Sequence, residues 1–288
     1  MKELILNADD FGLTQGINHG IIRAHRDGIL TSATLMATGP AFDHAVKHAR
    51  ANPTLGVGCH LVLTGGSAVA PREQIPSLAD AEGRLPRSLT VLVASVTTGR
   101  MPPGEIETEL RAQIEKIRRA GIEPTHLDTH KHTHVHPTIM NALGRVAQES
   151  GIKRVRNPVE DLRDSWRSHR SDGKNTVRNI AAAATVSAVA SGFKAISSKY
   201  GLRFPDHFLG LAVTGQLGAA ALHRLINTLD EGQTEIMLHP GICDQDLART
   251  GSRLQRQREI EMEGLLAPEV KDAVVKGGIR LISYRDLN

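Results

Sequence analysis

Glu3-Leu4-Ile5-Leu6-Asn7-Ala8-Asp9-Asp10-Phe11-Gly12-Leu13-Thr14 is the stretch whose reading decides the fold. Residues 3–8 form a short apolar run suited to a strand, and two carboxylates stand at its C-terminal end. Thr14 is placed to cap a helix whose apolar side is Ile17, Ile21 and Ile22 and which closes at Asp27-Gly28. The same order of strand, turn and helix recurs down the chain. Strands are expected over 31–38, 55–63, within 125–137, and over 153–157, 235–239 and 279–283. Helices are expected over 41–51, from Glu105 to Gly121, from Pro137 onward, and over 177–200, 217–230 and 253–275. Between Leu63 and Leu89 the residues show little periodicity and several Gly and Pro, which marks a long loop of the kind that serves as a lid or binding loop.

This βαβα alternation implies a parallel sheet with helices outside it. About seven strands in 288 residues suit an α/β fold with a single distorted (β/α) barrel over 1–288. A doubly wound open sheet is the alternative. Either architecture places its chemistry at the C-terminal ends of the strands, where Asp9, Asp10, His60, His130, Arg156 and His239 all fall. With 40% hydrophobic and only 3% aromatic residues, the interior is expected to be aliphatic, as in strands buried on both faces.

Composition narrows the partners. The formal charge is +4, but Lys and Arg are dispersed among acids and stacking aromatics are scarce, which excludes a nucleic-acid reading. Two cysteines, Cys59 and Cys243, make no disulfide framework, and Met1 leads straight into a strand pattern without a signal peptide. A cytoplasmic location follows as the expectation. The apolar stretch 180–193 is shorter than the about 20 residues a membrane span needs, so no integral membrane segment is expected. A homodimer is the expected assembly.

Residues 125–137 carry the densest chemistry, with His126, Asp128, His130, His132, His134 and His136 at every second position. In an extended strand these six would share one face. Ten strand residues span roughly 33 Å, so one ion can use only one or two of the imidazoles. Partners must come from elsewhere. Asp10, His60 and His130, from three strand ends, supply a carboxylate and two imidazoles, a set that holds a divalent ion and leaves positions open for water and substrate. An ion so held activates water and polarises a carbonyl.

Hydrolysis also needs a base and an acid. Asp9, beside the ligand Asp10, is placed to take a proton from water if the chain bends at Asp9-Asp10-Phe11-Gly12, and His239 is placed to protonate a leaving amine. Arg156 is positioned to pair with Asp9 and keep it ionised. Cys59 should point away from the site. His19, His25, His44, His48 and His223 sit on expected helices at unremarkable spacings and read as surface or satisfied core residues.

Four separated motifs carry a resemblance: Asn7-Ala8-Asp9-Asp10-Phe11-Gly12, Gly58-Cys59-His60-Leu61, the run Thr125 to His134, and Leu238-His239-Pro240-Gly241. In order and spacing they resemble the YdjC/ChbG family of carbohydrate deacetylases. Ile75-Pro76-Ser77-Leu78, Asp80-Ala81-Glu82-Gly83 and His130-Lys131-His132 are similar to the hopanoid-biosynthesis-associated HpnK branch. Thr125-His126-Leu127-Asp128 is equally similar to the chitooligosaccharide deacetylases.

The resemblance implies a distorted barrel related to the polysaccharide deacetylases and removal of an acetyl group from an N-acetylated sugar. It makes Asp10, His60 and His130 the metal ligands, Asp9 the base and His239 the acid. It implies magnesium, whereas two imidazoles favour zinc, manganese or iron. His126 and Asp128, deeper in the strand, are expected to orient ligands, and His132 and His134 to lie in the loop beyond, within reach of substrate. The competing class is a non-catalytic sugar- or metal-binding protein on the same scaffold. A glycosidase is disfavoured, because neighbouring Asp9 and Asp10 do not flank a glycosidic bond at about 5–9 Å.

Overall fold

The computed structural model describes residues 1–160, 184, 186 and 192–287. Its centre is strand β1 (Lys2–Phe11), which runs through both carboxylates and is buried from Leu4 onward. On one side β1 pairs with β6 (Gly232–Leu238) from Lys2 to Ala8. On the other, its N-terminal end pairs with β7 (Arg280–Leu281) and its C-terminal end with β2 (Ser32–Leu35). The sheet continues through β3 (Gly56–Leu61) to β4 (Leu127–Thr129), and β5 (His207–Leu209) flanks β6. Among the described residues all seven strands are parallel.

Single parallel bridges carry the sheet on from β4. Leu127 pairs with Val155, and Arg154 pairs with Arg203, four residues before β5. The curled sheet is therefore drawn round towards its own far edge as a distorted barrel. The expected strand at 153–157 is present only as these bridges.

Helices α1 (Gln15–Arg26), α2 (Phe42–Ala51), α3 (Leu89–Thr97), α4 (Pro103–Arg119), α5 (Pro137–Glu149), α6 (Phe193–Lys199), α7 (Ala219–Asn227), α8 (Gln245–Arg249), α9 (Arg256–Leu266) and α10 (Pro268–Lys276) lie outside the sheet. Thr14 caps α1, its side chain accepting from Ile17 N at 3.1 Å. The expected helix over 253–275 is two, because Ala267 is extended before Pro268, which opens α10 at a position that needs no N–H donor. Helix α3 was not expected at all. Much of the expected 177–200 helix lies outside the described residues, of which α6 is the described part. Among the described residues no helix is long and apolar enough to cross a membrane.

Leu4, Leu6 and Ala8 of β1 join the large core under the helices, whereas Ile5 packs with Ile282, Tyr284 and Leu287 in a separate small cluster. That cluster, built from the chain end after β7, plugs the barrel at the N-terminal ends of its strands. Above the plug the interior is polar. The alternate residues Asn7 and Asp9 of β1, Ser32 and Thr34 of β2, His60 of β3, Asp128 of β4 and Glu235 of β6 are all buried. Such side chains stay inside only when they satisfy one another. The barrel centre is accordingly a network of charges.

Candidate metal and acid–base centre

Alternation within 125–137 ends at His130. Lys131 and His132 adopt positive φ, 57° and 53°, inside the 3-10 segment His130–Val135, so the six polar residues do not share a face. Left-handed backbone at two successive non-glycine residues is uncommon and strained, and here it folds the chain back on itself. His126, Asp128 and His130 keep the strand spacing. His134 turns under the loop, paired through Nδ1 with the Thr129 hydroxyl at 2.6 Å and through Nε2 with the Arg156 carbonyl at 3.2 Å. It is fully buried and does not face substrate. His132 is buried against Phe208, and His136 caps α5 by accepting from Thr138 N.

The Asp9-Asp10 turn is bent as the two carboxylates require. The β1–β2 register shifts between Ala8 and Phe11, and Asp10 has φ 66°. Gly12, at φ 97°, completes the turn. A bulge of this kind re-aims adjacent side chains that a regular strand would send to opposite faces. Asp9 then points to Arg156 and Asp10 to His60 and His130.

Asp10 Oδ1 lies 3.6 Å from His60 Nε2 and 3.4 Å from His130 Nδ1, and those two nitrogens are 3.3 Å apart. Ligands at about 2.1 Å from a tetrahedral ion are about 3.4 Å from one another. The three donors thus fit one shared divalent ion. Asp9, His60 and Asp128 also cluster, but both of those carboxylates are taken by Arg156. The Asp10 set opens outward, since the His130 side chain retains 25% exposure and that of His239 14%.

Two of the three candidate donors are held from behind. His60 Nδ1 is 2.8 Å from Asp128 Oδ1, which leaves Nε2 for the ion and orients the ring as a carboxylate behind a metal-bound imidazole does. The Thr34 hydroxyl donates to Asp128 at 3.1 Å. Burial opposes a charge on His60, yet Asp128, Asp9 and Asp10 raise its pKa to about 9. The field that retains a proton there also attracts a cation in its place. Asp10 Oδ2 accepts from Arg258 Nη2 at 2.6 Å. Burial on its own raises the Asp10 carboxyl, but Arg258, His130 and His239 together hold it well below the usual range.

Arg156 is the hub below. It donates to Asp9 at 2.6 and 2.8 Å and to Glu235 at 2.8 and 2.9 Å, and lies 2.7 Å from Asp128. Against burial, Arg156 holds Asp9 ionised, below its ordinary pKa. Glu235 is raised by burial and accepts from the Tyr284 hydroxyl at 2.5 Å. His126 does not touch a ligand. It stacks on Tyr284 with centroids 3.6 Å apart, as part of the plug.

His239 stands at the end of β6 with its backbone N–H donating to Glu261 at 2.6 Å. Burial lowers His239 to about 4 and raises Glu261 to about 7. Cys59 is buried in the outer core, as strand alternation requires. A separate cavity of about 640 Å³, lined by Arg50, Leu55, Thr125, Lys153, Arg154 and Arg285 among others, lies at the opposite ends of the strands and contains none of these groups.

Arg258, Glu235, Glu261, Thr34 and Tyr284 were missed in the sequence. Glu235 had a signal, because a carboxylate inside the apolar run of a buried strand needs a partner. Arg258 and Glu261 had none, since α9 buries Arg258, Glu261, Met262 and Leu265 without an apolar stripe.

Among known proteins, residues 3–276 match the family described as YdjC-like protein. The chain belongs to the YdjC-like family. A carbohydrate deacetylase of Brevibacillus brevis is 38% identical over 99% of both chains. A chitooligosaccharide deacetylase of Klebsiella pneumoniae is 35% identical, again over 99% of both. A crystal structure from Enterococcus faecalis, of a protein named for cellobiose-phosphate cleavage, superimposes with a TM-score of 0.76 at 29% identity, covering 98% of this chain and 97% of the other.

Proposed function

We propose that the protein is a metal-dependent carbohydrate deacetylase that hydrolyses the acetamide of an N-acetylated sugar. One observation carries the reading: Asp10, His60 and His130 present three donor atoms 3.3–3.6 Å apart at strand ends, in a chain whose relatives are named carbohydrate deacetylases. A divalent ion held there supplies Lewis-acid activation of water and of the acetyl carbonyl. The mixed imidazole and carboxylate set suits zinc, manganese or iron better than magnesium.

The chain's own groups supply the rest. Asp9, kept ionised by Arg156, accepts the proton of the attacking water, and Arg156 holds that carboxylate in one orientation. His239 is neutral at rest, because burial lowers its pKa. It takes up a proton from solvent through the open side as negative charge develops beside it and passes that proton to the departing amine, while the proton on Asp9 returns to solvent as acetate leaves. The open side at His130 and His239 admits the acetyl group, while the buried network below excludes bulk water.

The test is acetate release from free N-acetylated oligosaccharides and from an N-acetylated glycolipid, with protein loaded separately with zinc, magnesium, manganese and iron. His130→Ala should lose both the bound ion and turnover. Saccharide binding that is unchanged by metal, with no acetate released from any substrate, overturns the reading in favour of a binding protein.

A further inference from the structure

Helices α1 and α2 bring together three of the histidines whose spacing was unremarkable in the sequence. His44 and His48 lie one turn apart on α2, and His19 projects from the neighbouring turn of α1. Their ring centroids are 4.5, 4.9 and 5.4 Å apart, all edge to face. One ring nitrogen from each lies within 4.8 Å of the other two. We propose that His19, His44 and His48 form a second metal site on the outer face of the barrel, which takes one imidazole-preferring divalent ion of the zinc class and ties α1 to α2.

The donor chemistry sets the class of ion. Three imidazoles with no carboxylate among them suit zinc, copper, nickel or cobalt and offer nothing to magnesium or calcium, which select oxygen. Three protein nitrogens leave a further coordination position to water. The side chains are half-exposed to exposed, so an ion reaches them from solvent. Burial and the mutual repulsion of the rings hold His44 and His48 below their ordinary range, so each is neutral, as ligation requires. The cations Arg26 and Lys47 also face the cluster and act against an ion. Imidazole ligation, unlike oxygen coordination of a hard cation, tolerates that opposition because it rests on directional nitrogen donors.

The cluster adjoins the catalytic turn. Asn18 Oδ1 accepts from Gly12 N at 2.7 Å, which fixes its amide so that Nδ2 donates to Ala41 O and to His44 Nδ1, each at 3.1 Å. That last bond orients the His44 ring, and ligation through Nδ1 exchanges it for a metal–nitrogen bond. The ion therefore sits on the helix pair that follows the Asp9-Asp10 turn, as a staple and not as a participant in the reaction.

The experiment is zinc stoichiometry on the full chain. Metal-free protein is equilibrated with micromolar zinc, desalted and counted by mass spectrometry, in parallel with His19→Ala/His48→Ala and with His60→Ala. Wild type should hold one zinc more than the double variant, and cobalt loading should give wild type d–d absorption in excess of that of the double variant. The double variant should keep its fold and its basal turnover, while showing less zinc-dependent thermal stabilisation than wild type. Magnesium should not substitute. Equal zinc counts in wild type and double variant overturn the proposal, as does a difference that appears only at millimolar zinc, which marks an adventitious ion only. A single wild-type zinc that survives in the double variant and vanishes in His60→Ala overturns the second site and leaves the Asp10 centre standing.

Discussion

Replacing Arg156 with Met tests whether the buried network is held by one cation. Arg156, Asp128 and Glu235 are fully buried, and Asp9 nearly so. All three carboxylates approach the guanidinium at 2.6 to 2.9 Å. Charge-assisted hydrogen bonds contribute about 1.5–3 kcal/mol each, but bonds that share one donor group are not additive. The better guide is the cost of removing one partner from a buried ion pair, about 3–5 kcal/mol, because the remaining charges stay desolvated. For a chain of this size that lowers the thermal midpoint by roughly 10 °C.

The pH dependence gives the sharper check. Without Arg156 the orphaned carboxylates have folded pKa values above their unfolded ones, bind more protons when folded, and lose stability as pH rises. Urea unfolding of Arg156→Met should therefore show a larger deficit at pH 8 than at pH 5. Adding Glu235→Gln, which removes one of the three negative charges, should recover about 1–2 kcal/mol. A variant within about 1 kcal/mol of wild type at both pH values, or a deficit that grows on acidification, refutes the single-cation account.

His126, His132 and His134 have pKa values lowered by burial to about 3, 3 and 4, against an ordinary 6.5. Depressed folded values mean stability that is complete above pH 6.5 and lost on acidification, so going from pH 7 to pH 5 should cost about 2 kcal/mol per residue in urea titrations. His126→Phe, which keeps the stack on Tyr284, should flatten that dependence. Gly58→Ala should destabilise by about 1–3 kcal/mol, because a Cβ there would sit 2.4 Å from the His126 ring, and the loss should shrink in His126→Ala. Asp9→Asn should retain the ion while acetate release falls by about 10²-fold or more; unchanged turnover removes Asp9 as base.

The strand order was partly legible and the site more so, for the same reason. Parallel strands buried on both faces read as apolar runs, so any charged group within or just after one stands out. Asp9, Asp10, His60 and His239 were visible in this way, as was Arg156. Where the pattern was weak the reading failed. Helix α3, Leu89–Thr97, is an apolar and β-branched segment without charges, and nothing in Leu-Thr-Val-Leu-Val distinguishes it from a strand. The break between α9 and α10 was legible in Pro268 and was passed over.

Residues 125–137 show what periodicity cannot decide. A period of two specifies one face only while φ stays extended, and no feature of His-Lys-His-Thr-His announces two left-handed residues. Interactions from outside the segment impose them. Thr129 accepts from His134 N at 3.1 Å and meets its Nδ1, and Arg156 O meets its Nε2, so the loop is closed by groups of β4 and of the bridge segment beside it. Those contacts draw His134 under the loop against Phe193 and leave His130 as the last residue able to face Asp10. The left-handed pair thus selects one candidate ligand from a run that offered several. The strain at Asp10 does the matching work across the sheet, since the bulge that separates Asp9 from Asp10 assigns one carboxylate to Arg156 and the other to the two histidines. Both unusual backbone segments occur at strand ends, where the ladder no longer fixes φ and where the barrel brings its side chains together.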